Sequence, residues 1–379
     1  MCEILCCLVL LVSIGHAAPK KKPEKKDEKA VPVTEIQAAP GKRMVGTVIW
    51  APRQGLNRSE SAKELLTPEV RKMIAKGLDF IRKSQHPDGG WGDKDFQENA
   101  GVTALCCLAL LAEGSLPQVG PSGRELDKGV QFLLDHVKDD GQIAAKNTYR
   151  QGPMYGHAWS TLVLLQVYGN VPWRPDMRDK LAKAIQVLLK FQKVDGGWRY
   201  RMMREGESDT LVTLNVLFTL RVAIKAGFAV PADRIEKAEA FIRSNAMPDG
   251  RFYYRKTGMI GSPAITACGA IAIFGSGQFD DPLVGSANRR IAHYYQRRSV
   301  RDIIDSEYAY YRTFYTSIAL YQAGDEQWVP YYKKMTEVWK EAQQEDGQLF
   351  NHTRNSVYPT ASALVVMQAP LGYLPFYYR

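Results

Sequence analysis

Gln85-His86-Pro87-Asp88-Gly89-Gly90-Trp91 and Gln192-Lys193-Val194-Asp195-Gly196-Gly197-Trp198 are two copies of one pattern, Q-x-x-D-G-G-W, with their aspartates 107 residues apart. That interval is twice about 53, so a third, weaker copy is expected midway, and Asp140-Gly141 stands there. Asp249-Gly250 and Asp346-Gly347 continue the series, each with a phenylalanine shortly after. The aspartate spacings run 52, 55, 54 and 97, and the last interval hides an eroded copy near Asp302. A fixed period of this length is the signature of a repeated two-element structure, and six copies fit.

Each copy has the same grammar. Before the turn lies a segment whose apolar residues fall three and four apart, as on one face of a helix: 70–85, 126–137, 181–192, 235–245, 287–297 and 329–343. After it lies a segment almost free of charge: 100–111, 158–167, 210–220, 264–274, 314–321 and 360–367. A helix apolar all round has to be buried on all sides. Six buried helices paired with six amphipathic ones are expected to close into an inner and an outer ring, because an open stack would need polar end caps that this chain lacks. The Asp-Gly-Gly turn is expected to leave each outer helix through positive-φ conformations, with Gly90 and Gly197 as the sensitive positions.

The Q-x-x-D-G-G-W elements resemble the QW motif of the prenyltransferase and squalene oxidase repeat superfamily. The resemblance covers residues 68–372 and implies an all-α fold, an (α/α)6 toroid. The run Met154-Tyr155-Gly156-His157-Ala158-Trp159, with Tyr168-Gly169 following, is similar to exported, largely uncharacterised bacterial members. In that superfamily the motif's Gln and Trp tie neighbouring repeats together, so Trp91 and Trp198 read as structural.

The 379 residues are 45% hydrophobic and 24% charged, an ordinary globular composition. Residues 5–14 form a short apolar stretch followed by Gly15 and Ala17, which suits a signal peptide over 1–17 and export to the periplasm or outside the cell. Residues 18–67 read as a linker whose Lys20–Lys29 segment, six lysines against three acids, is too polar to bury anything. The toroid then occupies 68–379. No transmembrane span is expected in the mature chain. The net charge of +10 points to no nucleic-acid partner, since no reader motif or basic helix accompanies it. Cys106, Cys107 and Cys268 fall in apolar runs with no CxxC spacing.

Asn99, His157, Asp209, Ser262, Tyr311 and Tyr358 stand where inner helices begin, at the rim of the ring. Asp209 and His157 are the candidate catalytic residues. Squalene cyclases protonate an alkene with a D-x-D-D cluster. Here Glu207-Ser208-Asp209-Thr210 is an incomplete version, and an N-cap is an equal reading of Asp209. Protein prenyltransferases hold zinc through Asp-x-Cys and a distant His. Thr266 stands where that Asp would precede Cys268, so no metal is expected, and with no nucleotide fingerprint no cofactor either. Trp159, Phe314 and Tyr315 are expected as aromatic wall.

A further series lies between each turn and its inner helix: Arg150, Arg201, Arg255, Arg312 and Arg354, four of them preceded by Tyr. Arginines ringing one mouth would suit an anionic ligand. The alternative is that each ties down its own loop. Three functions therefore stand open: a terpene-cyclase-like enzyme acting on a small molecule or lipid in the central cavity, a non-catalytic module holding an anionic polymer or lipid head group, and an acid-sugar lyase or hydrolase, which no carboxylate pair marks.

Overall fold

Apolar spacing decides which face of each outer helix turns inward. A computed structural model describes residues 61–147, 152–306, 308–349 and 356–377. The signal segment, most of the linker, Arg150 and Arg354 lie outside the described residues. The short α1 (Ser61–Leu65) leads into α2 (Pro68–Lys83), which starts at Thr67, whose hydroxyl accepts from the Val70 amide at 3.2 Å. It buries Val70, Met73, Ile74, Gly77, Leu78 and Ile81, the three-and-four ladder of a half-wet helix. The next helix, α3 (Ala100–Ala112), is buried at every residue except Gly101.

The alternation continues through α4 (Gly123–Asp135), α5 (Pro153–Val167), α6 (Met177–Lys190), α7 (Thr210–Lys225) and α8 (Ala232–Ser244). A two-stranded antiparallel hairpin follows, β1 (Tyr253–Arg255) and β2 (Met259–Ile260). Then come α9 (Pro263–Gly275), α10 (Pro282–Gln296), a short α11 (Val300–Ile304), α12 (Ala309–Ala323), α13 (Asp325–Ala342) and α14 (Val357–Met367).

The inner helices form a closed circuit: α3 packs on α5, α5 on α7, α7 on α9, α9 on α12, α12 on α14, and α14 back on α3. Outside them α2, α4, α6, α8, α10 and α13 each pack on inner helices. The expected (α/α)6 toroid is present. Where the eroded turn was expected, α11 stands instead, started by a reciprocal Ser299–Asp302 capping box.

The turns hold the outer ring together. Gln85 Nε2 donates to Gly89 O in its own turn at 2.9 Å and to Glu125 O on α4 at 2.8 Å. Gln192 Nε2 does the same with Gly196 O and Arg234 O on α8, both at 2.8 Å. Gln343 Nε2 bonds Gly347 O at 3.1 Å and Met73 O on α2 at 3.0 Å, so the last turn grips the first helix. Gln368 Nε2 on Ala109 O at 3.0 Å and Ser356 on Asp93 at 2.9 Å complete that seam. Trp91 and Trp198, fully buried, donate their indole N–H to Ile81 O and Leu188 O within their own outer helices.

One expectation about the turns is corrected. Positive φ belongs to the first glycine, Gly89 at 89° and Gly196 at 92°, and not to Gly90 or Gly197. The second glycine is needed for room: a Cβ on Gly90 would lie 2.7 Å from the Phe132 ring, and one on Gly197 2.5 Å from Ser208 Cβ.

Candidate active site

Asp209 is positioned from both sides in sequence. Its amide donates to Trp198 O at 2.9 Å, which sets it in extended conformation beside the Asp-Gly-Gly turn. Its Oδ1 accepts from the Val212 amide at 2.8 Å and so caps α7. Asp195 of the turn holds Ser208 through amide and hydroxyl, at 3.1 and 2.6 Å, fixing the loop just ahead. The other oxygen, Oδ2, is buried with no hydrogen-bond partner, and the residue is 0% exposed. Burial pushes the Asp209 carboxyl up to about 7, against the opposing pull of the Val212 amide and the Arg199 charge. The group is thus the cap of α7, and its carboxyl keeps its proton close to neutrality.

Around it gathers a cluster of aromatic side chains, the aromatic basin. Tyr155, Trp159, Tyr200, Tyr254, Tyr311 and Tyr358 are all half-buried and packed against the core. The Tyr155 and Tyr200 rings are 5.5 Å apart, and the Tyr200 and Tyr254 hydroxyls meet at 2.5 Å. Tyr311 sits edge-on to Tyr315 at 5.3 Å, and Trp159 edge-on to Phe314 at 5.3 Å, across the ring from α5 to α12. Burial raises the phenols of Tyr155, Tyr311 and Tyr315, and that of Tyr358 to about 12, so these hydroxyls stay protonated donors. Tyr315 donates to Asn215 Oδ1 on α7 at 3.0 Å, while Asn215 Nδ2 and Asp209 Oδ2 remain unpartnered.

Phe376 meets Phe218 of α7 at 6.4 Å and Phe314 of α12 at 5.9 Å, and Tyr377 shares a 2.6 Å hydrogen bond with Ser317. The C-terminal segment therefore packs against the inner helices α7 and α12.

His157 has a different place. The Ile143 amide donates to its Nδ1 at 3.0 Å, which leaves the proton on Nε2 for Ala184 O at 2.9 Å. Both ring nitrogens are spent on backbone, and the residue is 0% exposed, so it positions α5 against α6 and does not reach the basin. The equivalent amides of Trp91, Trp198 and Leu349 donate to Thr103, Thr213 and Thr360. A threonine at the same stage of an inner helix was the signal that His157 serves this bond. Burial lowers the imidazole to about 4, so the neutral form is favoured on folding. The stability this confers is full above the ordinary histidine range and is lost as pH falls toward 4. His157→Thr should keep the Ile143 bond, lose the Ala184 bond and leave a small void, costing about 2–4 kcal/mol in denaturant titrations at neutral pH. Its loss of stability on acidification should be smaller than that of the wild type.

The three arginines of the series that are described, Arg201, Arg255 and Arg312, do not share one environment. Arg201 is exposed. Arg312 turns outward, its Nη1 donating to Tyr294 Oη at 2.8 Å and Ser306 Oγ at 3.1 Å, and so ties down its own loop. Among the described members of the series, Arg255 is the one close to the basin, with its guanidinium over the Tyr254 ring at 5.4 Å. In the Tyr200-Arg201 and Tyr311-Arg312 pairs the tyrosine takes the inner face, because neighbours in an extended segment point to opposite sides and neighbours on a helix are about 100° apart. Asn99 is a plain N-cap, accepting from Gly101 and Val102, and Ser262 precedes α9 without a side-chain cap. Among the described residues no cluster of His, Cys, Asp and Glu is arranged to hold a metal, and no helix is long and apolar enough to cross a membrane.

Closed inner and outer rings of helices define the α/α toroid class. Among solved structures, the chain is similar to the type II terpene cyclase MstE from Scytonema in complex with geranylgeranyl dihydroxybenzoate, at a TM-score of 0.58 and 14% identity over 82% of this chain and 99% of that one. It is similar as well to a D-mannose isomerase, TM-score 0.55 and 12% identity over 79% and 96% of the two chains. An α-amylase from Clostridium perfringens gives 0.53 and 12% over 78% and 97%. No protein-family pattern and no curated protein matches the sequence. A cyclase, an isomerase and an amylase on one ring of helices mean that the fold does not select the reaction; the site has to.

Proposed function

We propose that the chain is a cyclase- or isomerase-type enzyme, exported as its N-terminus suggests, that takes an unsaturated apolar small molecule into the aromatic basin and activates it with a proton from Asp209. The observation that carries this reading is the Asp209 carboxyl, wholly buried with one unpartnered oxygen and held protonated to near neutrality among tyrosines. Such a group is a poised general acid. The aromatic wall supports the next stage, since ring faces attract developing positive charge.

The chemistry balances without a cofactor. The carboxyl proton goes to one alkene carbon, the π pair forms that C–H bond, and the adjacent carbon becomes cationic. A second double bond of the ligand closes onto it with a new C–C bond, and loss of a proton to the carboxylate or water regenerates an alkene and the acid. The product is an isomer of the substrate. MstE lends the substrate class: its structure holds a geranylgeranyl-bearing ligand.

The test is a panel of linear polyprenyl alcohols and acids incubated with the full chain in heavy water. Cyclic isomers carrying one non-exchangeable deuterium are the expected products, and Asp209→Asn should lower their rate by at least about 100-fold, the usual range for removing a general acid. Undiminished turnover in that variant would remove Asp209 from the reaction.

A further inference from the structure

We infer that the molecule bound in the basin carries an anionic head, a carboxylate or phosphate, and that Arg255 is the residue that pairs with it. The inference rests on the basin being the ligand site and adds the ligand's polar end. The Arg255 side chain is only 18% exposed, and its Nε is buried with no partner among the described residues. Its nearest acid, Glu207, stays 4.0 Å away and already accepts from Thr257 Oγ1 at 3.0 Å.

Arg221 too leaves one buried nitrogen, Nη1, without a partner among the described residues, but it and the other sheltered arginines each hold a close one elsewhere on the fork. Arg221 holds Glu239 at 2.6 Å, Arg174 holds Asp176 at 2.8 Å, and Arg312 holds the Tyr294 hydroxyl at 2.8 Å. A guanidinium has five N–H donors in a planar fork, and donors withdrawn from water without acceptors are costly. Arg255 is therefore a charge kept sheltered without a close counter-ion, which an anion binding side-on to the fork would supply.

Its mounting places that anion at the basin's edge. Tyr253 O, in the same strand, accepts from Thr210 Oγ1 at 2.8 Å, so β1 is fastened to the residue next to Asp209. The Tyr254 ring lies against the guanidinium and its hydroxyl reaches Tyr200, whose ring is tilted against that of Tyr155. A ligand gripped by its head at Arg255 has its chain laid over these rings. The head would then set which double bond comes nearest Asp209.

The experiment compares three probes on the full chain by calorimetry: geranylgeranoic acid, geranylgeraniol, and benzoate as an anion without the chain. The acid should bind at least about 10-fold tighter than the alcohol, the range of one charge-assisted pair. Arg255→Gln should abolish that preference while leaving the alcohol within about 2-fold, and Arg255→Lys, which keeps the charge without the fork, should retain part of it. Arg301→Gln, an equal loss of charge on an exposed arginine, should leave the preference intact. Equal wild-type affinity for acid and alcohol would overturn the anionic head while sparing the basin. A preference that survives in Arg255→Gln would overturn the role of Arg255. Arg255-dependent binding of benzoate with no binding of either prenyl probe would keep this inference and defeat the apolar-ligand reading. No binding of any probe would defeat both.

Discussion

Gly347→Ala should destabilise the protein by about 4 kcal/mol, whereas Gly206→Ala should cost about 1 kcal/mol, although both glycines have positive φ, 92° and 80°. The difference lies in what a Cβ would meet. At Gly206 nothing lies within 4 Å, so only the strain of the left-handed backbone is felt. At Gly347 the added carbon would come within 2.2 Å of Lys76 O on α2, and carbonyl oxygens within a helix cannot step aside. Gly89, Gly141 and Gly196 make the same approach to Lys128, Lys183 and Lys237 on the following outer helices. Gly347 differs in closing the ring, because the helix it approaches is the first of the circuit. In thermal melts the two variants should separate by several degrees, at about 2 °C per kcal/mol for a domain this large. Equal melting points would mean that the seam between the last turn and α2 relaxes freely.

The ring was legible because burial leaves a chemical trace at every position. Helices such as α3 and α9 contain no charge at all, and a helix without a wet face has only one kind of place to go. Even the degenerate last turn kept Gln343, and the in-phase glutamine is what reaches Met73 and closes the circuit. The phase of the glycines was less readable. Only the approach of a neighbouring helix distinguishes Gly89, which needs φ = 89°, from Gly90, which needs space beside Phe132.

At the site, Asp209 stood out because a carboxylate beside the charge-free stretch 210–220 has few neutral explanations. The tyrosines were hidden in plain view. Tyr200 and Tyr254 were read as companions of Arg201 and Arg255, since charge draws the eye, but which member of each pair faces inward depends on how the loop is anchored. That anchoring, Trp198 paired with Asp209 and Thr210 hydroxyl on Tyr253 O, joins residues 11 and 43 positions apart and leaves no local pattern. His157 misled for the opposite reason: an isolated histidine invites a chemical role, and its duty became clear only from the threonines that replace it at the equivalent bonds.

The account turns on a carboxyl that folding keeps protonated, and the stability of Asp209→Asn relative to wild type across pH tests it most directly. The folded value near 7 lies above the ordinary carboxylate range, so the protonated acid is favoured by folding. Wild-type stability from this residue is full below about pH 4 and declines as pH rises through 7, by up to about 4 kcal/mol for three pKa units. Asparagine caps α7 as well as aspartate does and carries no charge, so the variant escapes the decline. Guanidinium unfolding of both proteins at pH 4, 6 and 8, with every other titrating group cancelling in the difference, should show the variant gaining about 3–4 kcal/mol on the wild type from the lowest pH to the highest. A difference that stays constant with pH would mean that Asp209 ionises like any exposed carboxylate, and the poised acid on which the proposed chemistry rests would not exist.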